Sequence, residues 1–297
     1  MIEFVDFSVK RGGFFLKVPK LRLDGKRNFL IGRNGSGKST FLFSVAGLIR
    51  SEGGIFIDGV EISQIAPEER GIALIPQELL LFPTMRVRGN IEISVRYGRG
   101  DKDLVDRVIK SMEIESLLDK KIQEISSGEA QKVAVARAVV SKPRVLLMDE
   151  PFSFQDEIAR VNILALVDEL AEEYNFDYIY ATHNNKDLEG GFSTLTSIDG
   201  GELVESVDSM QTIRHYRTLS LIGYTNLVVL DKKYYRIERD AITFSSLSGI
   251  RYDTLEGIGA GKIRFKIDGR YYFASVPPEP GKPFLNIDSS KLVELPY

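Results

Sequence analysis

Residues 32–40 read Gly32-Arg33-Asn34-Gly35-Ser36-Gly37-Lys38-Ser39-Thr40 and fit the phosphate-loop pattern G-x-x-x-x-G-K-[ST] without a mismatch. An apolar strand candidate at residues 28–31 precedes this stretch, and a helix-like run at 41–46 follows it. A glycine-rich turn between a strand and a helix N-terminus presents backbone N–H groups and positive potential to phosphate oxygens. The alternative, a surface turn rich in Gly and Ser by chance, does not account for both flanking elements. The stretch therefore predicts a nucleoside triphosphate site.

Two residues of this loop have expected chemical roles. Lys38 is expected to reach the β- and γ-phosphates of the nucleotide, and the Ser39 hydroxyl is expected to ligate Mg²⁺. The loop by itself does not separate ATP from GTP.

A second informative stretch is the apolar run at residues 145–148, which ends in Asp149-Glu150-Pro151. A fully apolar run is typical of a buried parallel strand, and ligands of open α/β sheets bind at the carboxyl ends of such strands. Asp149 is expected to hold Mg²⁺, through water, and Glu150 to polarise an attacking water molecule. The alternative is a solvated strand end, and the phosphate loop upstream favours the functional interpretation.

Composition limits the other possibilities. The chain has 297 residues, enough for two ordinary domains, and a formal net charge of -3, which gives no reason to expect nucleic acid as a partner. It has no cysteine and two histidines, which excludes disulfides and does not favour a zinc site. The N-terminus alternates like a strand, and no apolar run approaches the roughly 18 residues of a membrane span. We therefore expect a cytoplasmic protein that reaches a membrane only through a partner.

The pattern along the chain changes once. Strands expected at 72–75, 145–148 and 178–181 alternate with helices expected at 101–118, 128–140 and 161–174, which predicts an α/β domain with a mostly parallel sheet. The first 30 residues are expected to form a β-meander. Beyond about residue 212, short alternating strands at 227–230, 234–237, 263–267 and 270–274, the last two joined by Asp268-Gly269, predict a small all-β domain.

A run just before the acidic strand points to a family. Ile125-Ser126-Ser127-Gly128-Glu129 resembles the L-S-G-G-Q signature of the ABC ATPases, and its continuation to Ala138 is also similar. Pro76-Gln77 resembles the family's Q-loop, Ser153-Phe154-Gln155-Asp156 its D-loop, and Ala181-Thr182-His183 its switch histidine. With the phosphate loop and the acidic strand, six elements stand in the family's order, over roughly residues 1–205.

The resemblance implies a fold and an assembly. It implies a P-loop NTPase fold at residues 1–212, with an N-terminal antiparallel β subdomain and a helical subdomain at about 78–142, and a β-rich regulatory domain at 213–297. It also implies ATP and Mg²⁺ as cofactors and a two-fold homodimer. Each ATP then lies between the phosphate loop of one chain and the signature of the other.

Residue roles follow from the same resemblance. Nucleotide-binding residues are those of the loop: Gly32, Arg33, Asn34, Gly35, Ser36, Gly37, Lys38, Ser39 and Thr40. Signature residues that face the partner's nucleotide are Ser126, Ser127, Gly128 and Glu129. Candidate catalytic residues are Glu150, His183, Gln77 and Lys38, and candidate metal ligands are Ser39, Gln77 and Asp149. Asp156 is expected at the dimer seam.

Two departures from the family pattern stand out. Ser127 occupies the first glycine of the signature, where a Cβ crowds the close approach of backbone to phosphate. The aromatic residue that stacks on adenine in the family corresponds to Arg11, whose guanidinium can also stack on a ring. Phe14 or Phe15 are the alternatives, unless both belong to the core.

The tail resembles the oligonucleotide-binding-like domain of importer ATPases through Gly223-Tyr224-Thr225-Asn226 and residues 236–242. The pattern at residues 10–14 is most similar to molybdate and tungstate importers; importers of sugars, polyamines or iron, and a soluble ABC ATPase without a permease, are the alternatives. The implied partners are membrane permease subunits and, indirectly, an extracellular substrate-binding protein. Leu79-Leu80-Leu81-Phe82-Pro83 is expected to receive a permease helix or, alternatively, to be ordinary core. The implied location is the cytoplasmic face of the membrane.

Overall fold

The structure is a computed structural model. It describes residues 1–153, 155–188 and 190–209 and, beyond these, Ile213, Thr218, Leu221 and the backbone of the strands between Leu227 and Glu294. The chain divides into two compact units, Met1–Ser209 and Met210–Tyr297. Within the described residues, no helix combines the length and hydropathy that a bilayer-spanning segment needs.

One ten-stranded sheet organises the first unit, in the order β5-β4-β1-β2-β10-β9-β3-β8-β7-β6. Its strands are β1 Ile2–Arg11, β2 Phe14–Leu23, β3 Arg27–Ile31, β4 Glu52–Ile57, β5 Val60–Glu61, β6 Ile72–Ile75, β7 Val145–Asp149, β8 Asp177–Thr182, β9 Thr194–Asp199 and β10 Glu202–Val207. The strands predicted at 72–75, 145–148 and 178–181 are confirmed as β6, β7 and β8.

The parallel part of the sheet positions the candidate site. Strands β6, β7, β8, β3 and β9 pair in parallel, so their carboxyl ends meet along one edge. Every residue of β7 is buried, as is every residue of β3 after Arg27. The phosphate loop after β3 and the acidic pair after β7 therefore lie at the same edge, separated only by β8.

The expected β-meander over the first 30 residues is wrong in part. β1 and β2 form an antiparallel hairpin, but β9 and β10 lie between β2 and β3. β3 is apolar and covered on both faces, so it belongs to the parallel centre rather than to the half-exposed antiparallel flank. The antiparallel flank continues through β4 and β5, joined at Asp58-Gly59.

The described residues of the first unit also form six α-helices: α1 Lys38–Val45, α2 Val87–Ile91, α3 Ile93–Arg96, α4 Lys102–Ser111, α5 Ser127–Val140 and α6 Glu157–Tyr174. The helix predicted at 101–118 is shorter than expected. It ends at Ser111 because Glu113 takes a left-handed conformation (φ 55°), and only a short 3₁₀ turn, Glu115–Leu117, follows.

An apolar core fixes α1, and with it the phosphate loop, against the sheet. Phe41 on α1 packs against Phe4 and Phe7 on β1, with ring centroids 4.9 and 5.6 Å away. All three rings are fully buried. The burial of three aromatic side chains contributes several kcal/mol and anchors the helix that begins at Lys38.

The second unit contains β11 Leu227–Leu230, β12 Lys233–Ile237, β13 Ile242–Ser245, β14 Ile250–Arg251, β15 Thr254–Gly257, β16 Ile263–Ile267, β17 Arg270–Ala274, β18 Phe284–Ile287 and β19 Leu292–Glu294. They form three-stranded sheets, and the four tail strands predicted above are confirmed. The Gly223–Asn226 motif, residues 238–241, the Asp268-Gly269 turn and Phe154 of the D-loop lie outside the described residues. The oligonucleotide-binding-like domain stays a prediction.

Candidate functional site

The phosphate loop is a tight turn whose shape depends on glycine. Gly37 has φ 114°, and a Cβ at this position would lie 2.9 Å from the Phe14 ring. A Cβ on Gly32 would lie 2.3 Å from the Ser36 hydroxyl oxygen. The Phe41 amide then donates to the Gly37 carbonyl (2.8 Å), which starts α1 directly after the turn. The loop N–H groups thus sit at the positive end of a helix.

Lys38 is folded back over this turn. Its side chain is only 5% exposed, and Nζ donates to the Gly32 carbonyl (2.9 Å) and lies 2.9 Å from Glu150 Oε1. A buried ammonium is stable only with such partners. The structure thereby joins the loop to the acidic strand end.

Glu150 lies between Lys38 and His183 and contacts both side chains, so the three residues form a contact chain. Its backbone is left-handed (φ 49°), and its amide donates to the Ala181 carbonyl (3.1 Å). One carboxylate oxygen contacts Lys38, and the other lies 2.6 Å from His183 Nδ1. Three of the four candidate catalytic residues are therefore in direct contact. This is a carboxylate held between two nitrogen donors at the sheet edge where ligands bind.

Asp149 and Ser39 form the adjacent polar pair. Burial raises the pKa of the Asp149 carboxyl, and the neighbouring Ser39 hydroxyl opposes this rise. The residues present fit Mg²⁺, which prefers oxygen ligands and is commonly held by one or two carboxylates together with phosphate oxygens. The Ser36 hydroxyl is buried without a hydrogen-bond partner among the described residues. Among the described residues, no group of three or more His, Cys, Asp or Glu side chains is arranged to hold a metal ion by itself.

A cavity of about 150 Å³ opens on the loop and is lined by Phe14, Arg33 and residues 35–40. Phe14 lines this cavity and is half-buried, whereas Arg11 is exposed at the end of β1. Phe15 is 53% exposed, so the expectation that both phenylalanines belong to the core is wrong for Phe15. A larger groove of about 630 Å³, lined by Glu68, Ile93, Tyr97 and Arg99 among others, contains none of the predicted site residues.

The signature segment begins α5 with a capping box. The Ser126 amide donates to Glu129 Oε2 (2.7 Å), and the Glu129 amide donates to Ser126 Oγ (3.3 Å). The hydrogen bond from the Ser126 amide lowers the pKa of the Glu129 carboxyl. Gln155 Nε2 donates to Ser127 Oγ (3.1 Å), which links the signature to the D-loop. All of these bonds lie within the segment itself or between it and the D-loop.

Gln77 and Asp156 are not joined to the Lys38–Glu150–His183 chain by any hydrogen bond within the described residues. Gln77 is exposed two residues after β6, at the same sheet edge. Asp156 caps α6 by accepting from the Ala159 amide (2.9 Å). Neither side chain therefore takes part in the contacts among Lys38, Glu150 and His183.

The segment at residues 79–83 is displayed rather than buried. Arg137 on α5 donates to the Leu79 and Leu80 carbonyls (2.8 and 2.7 Å) and lies over the Phe82 ring. Burial lowers the pKa of this guanidinium. Leu80 is 65% exposed and Phe82 43%, so the alternative of ordinary core is wrong for these two side chains.

Sequence reasoning missed several supporting residues. Arg137 shapes the displayed segment, and Gln131 donates to the Pro151 carbonyl behind Glu150 (2.9 Å). Arg160 and Asp187 form a buried ion pair next to the His183 turn. No local pattern marks these residues, because their partners are distant in sequence and meet only in the fold.

Comparisons with known proteins identify the family to which this site geometry corresponds. Residues 22–153 match the family described as ABC transporter. The molybdenum import ATP-binding protein ModC of Paramagnetospirillum magneticum is 34% identical over 211 residues, which are 68% of this chain and 58% of that protein. The chain carries an ABC ATPase domain. The family predicted from the signature, Q-loop, D-loop and histidine motifs is confirmed, and the chain spans 58% of the length of this curated relative.

Two solved structures support the ABC ATPase fold. One is the dimeric, post-hydrolysis state of the ATP-binding cassette MJ0796 bound to ADP and Pi, and the other is cbiO1 from Clostridium perfringens, part of the ABC transporter complex cbiONQ. Both match with a TM-score of 0.62 at 24% identity over 70% of this chain, and the matches cover 98% and 88% of those chains. The predicted α/β ABC ATPase fold is confirmed.

Proposed function

We propose that this chain hydrolyses ATP with Mg²⁺ as the ATPase subunit of an ABC importer. The observation that carries the proposal is the contact chain Lys38–Glu150–His183, set against the phosphate loop. A carboxylate between an ammonium and an imidazole is suited to accept a proton from water, because the ammonium can move to phosphate oxygens when these are present while the imidazole keeps the carboxylate oriented.

Nucleotide entry changes the partners of Lys38. The ammonium now pairs with Glu150 and with loop carbonyls. Phosphate oxygens carry more negative charge than these carbonyls, so Lys38 turns to them and leaves one Glu150 oxygen free. That oxygen orients and deprotonates the attacking water. His183 holds the second Glu150 oxygen and stabilises charge on the γ-phosphate.

The metal ligands in this proposal are Ser39, Asp149 and Gln77. Mg²⁺, when bound, neutralises charge on the β- and γ-phosphates. The Ser39 hydroxyl lies beside the Asp149 carboxyl, and Gln77 is exposed at the same sheet edge. Residues 32–40 cradle the phosphates. Phe14 is the best placed of the three candidates to stack on adenine, because it lines the loop cavity and Arg11 and Phe15 do not.

A second copy of the chain completes the site in this proposal. Ser126, Ser127, Gly128 and Glu129 bind the γ-phosphate held by the partner's loop, and Asp156 lies at the seam. The support is the exposure of this segment at the beginning of the 14-residue helix α5, because a helix N-terminus favours an anion. The dimer is two-fold symmetric, and each interface contributes to two sites.

The importer role rests on the ModC relative and on the displayed segment at 79–83. We propose that Leu80 and Phe82 receive an apolar helix of the permease, with an extracellular substrate-binding protein as an indirect partner. The chain then works at the cytoplasmic face of the membrane.

Molybdate or tungstate is the proposed cargo, and importers of sugars, polyamines or iron remain the alternatives. The proposed domain limits are 1–212, with the helical subdomain at about 78–142, and 213–297 for the regulatory domain.

An ATPase assay on the purified chain tests the reaction. Glu150→Gln should lower kcat by at least about 1,000-fold, because it removes the base without changing the shape of the site. Glu169→Gln, an exposed substitution on α6, is the matched control and should keep the wild-type rate. Hydrolysis by Glu150→Gln at the wild-type rate would remove Glu150 from the mechanism.

Two further measurements separate the roles around this reaction. Co-purification with membrane permease subunits supports the importer, and an active ATPase that never associates with a permease supports the soluble alternative. If the second unit senses cargo, ATP hydrolysis should fall as molybdate or tungstate is added, with sulfate as the control. An unchanged rate with all three ions removes the sensor.

A further inference from the structure

A buried ion pair next to His183 has no role in the steps above. The Asp187 side chain is 1% exposed and the Arg160 side chain 8%. Arg160 Nε donates a hydrogen bond to Asp187 Oδ1, at a distance of 2.5 Å. Charges this deeply buried are kept only when they are paired and hydrogen-bonded. Asp187 belongs to the short 3₁₀ turn after the histidine, and Arg160 lies on α6.

The second oxygen of Asp187 controls the backbone around His183. Thr182 Oγ1 donates to Asp187 Oδ2 (2.6 Å), and the same hydroxyl oxygen accepts from the Asn184 amide (2.9 Å). The residues on both sides of His183 are thus tied to one carboxylate. The imidazole itself is half exposed and has one described polar contact, Glu150, so its direction depends on the backbone that these bonds fix.

The same pair reaches toward the D-loop. Arg160 lies four residues beyond Asp156, in the first turns of α6, and Lys186 forms an ion pair with Glu157 at the beginning of that helix. Tyr180 is a second buried side chain on β8, two positions before Thr182, and burial raises the pKa of its phenol. Unlike Thr182, Tyr180 is not adjacent to His183.

We propose that Asp187 is a positioning residue for ATP hydrolysis. Held by Arg160, it fixes Thr182 and Asn184 and so aims His183 at Glu150 and the γ-phosphate. The competing explanation is that the cluster only stabilises the fold. The inference rests on the proposed ATPase function, and its test is chosen so that the two can fail separately.

The first arm of the test is kinetic. Thr182→Val removes the hydroxyl between Asp187 and the Asn184 amide without unpairing a buried charge, and Tyr180→Phe, the matched control, removes the hydroxyl of another buried side chain on the same strand. Thr182→Val should lower kcat about 10-fold, with the KM for ATP changed less than about twofold, because a misdirected group affects the transition state more than binding. Tyr180→Phe should change kcat less than about twofold.

A double-mutant cycle separates positioning from stability. In a His183→Ala background, Thr182→Val should change the residual kcat less than about twofold, because there is no imidazole left to aim. An equal loss of kcat with and without His183, or an equal loss in Tyr180→Phe, would overturn the proposal. Asp187→Asn, which leaves Arg160 unpaired, should give a larger kcat loss if it folds, and Asp187→Glu should recover part of it.

The second arm needs no activity. The chain has only two histidines, so the imidazole NMR signals of His183 are assigned by their loss in His183→Ala. Thr182→Val should shift the His183 signals and leave those of His215 unchanged, and Tyr180→Phe should shift neither. Unshifted His183 signals in Thr182→Val would overturn the positioning role. A wild-type chain that hydrolyses no ATP while its His183 signals respond as expected would overturn the proposed function alone.

Discussion

The two glycine-containing segments of the ABC ATPase domain differ in whether their own chain explains the glycine. Gly37 in the phosphate loop has φ 114° and no room for a Cβ beside Phe14. Gly128 in the signature is helical, and a Cβ there would meet only the Gln155 side chain, at an ordinary 3.6 Å. One glycine is required by the fold of a single chain, and the other is not.

This difference indicates which contacts complete the phosphate loop and which would have to complete the signature. The phosphate loop is closed by contacts within the chain: Lys38, Glu150 and the loop carbonyls satisfy one another. The signature lies at the positive N-terminal end of α5, where Ser126 and Ser127 are exposed to solvent. We therefore expect loop substitutions to weaken ATP binding in the isolated chain, and signature substitutions to affect nucleotide chemistry only in the assembly.

The largest effect is expected at the loop. Gly37→Ala should weaken ATP binding at least about 100-fold, because an L-residue is strained at this φ and its Cβ pushes Phe14. Gly98→Ala is the matched control, since Gly98 also has a positive φ (69°) but has open space around it. Gly98→Ala should cost about 1 kcal/mol of stability and leave ATP affinity unchanged in calorimetry. Equal losses of affinity in both variants would show that general strain, and not the loop, is measured.

The next effect sharpens the contrast. Gly128→Ala should keep or raise the free energy of unfolding, by up to about 1 kcal/mol, because alanine is favoured over glycine in a helix. ATP hydrolysis should nevertheless fall about 10-fold, because the Cβ blocks the approach of the partner's γ-phosphate. Thermal unfolding and an ATPase assay measure the two quantities. Unchanged hydrolysis in a stable Gly128→Ala protein would mean that the signature does not touch nucleotide.

A smaller effect is expected at Ser127, where the hydroxyl and the Cβ act differently. Ser127→Ala and Gln155→Ala each remove the hydrogen bond to the D-loop and should weaken ATP-dependent dimerisation less than about threefold. Ser127→Gly also removes the Cβ and should strengthen it about threefold relative to Ser127→Ala. Identical behaviour of the glycine and alanine variants would show that the Cβ does not crowd the nucleotide.

The smallest effect concerns the capping box. Because the Ser126 amide lowers the pKa of Glu129 in the folded chain, ionised Glu129 stabilises the fold above its ordinary pKa, and this contribution is lost as the pH falls through the lowered value. Glu129→Gln should lower Tm by about 1–2 °C at neutral pH. The difference from the wild-type chain should narrow in acid. A Tm difference that is independent of pH would mean that the charge contributes nothing.

Local patterns predicted the parts of the site that are continuous in sequence. The phosphate loop, the buried strand before Asp149 and the helix after Ser126 are each specified by residues within a few positions of one another. The insertion of β9 and β10 between β2 and β3 was not predictable in this way, because it depends on pairing between strands about 170 residues apart. Glu150 is left-handed although Pro151 follows, which disfavours helical and favours extended conformations for the preceding residue. Tertiary contacts with Lys38, Ala181 and His183 stabilise that conformation, and these are not visible in the sequence.

The central claim is that the loop and the signature complete each other across a two-fold dimer. Light scattering on the Glu150→Gln chain, with and without ATP and Mg²⁺, tests it most directly. We expect the mass of a 33.3 kDa monomer without nucleotide, twice that mass with ATP and Mg²⁺, and a return to the monomer when Gly128→Asp is added. A Glu150→Gln chain that binds ATP and stays monomeric, or a dimer that persists with Gly128→Asp, would contradict it.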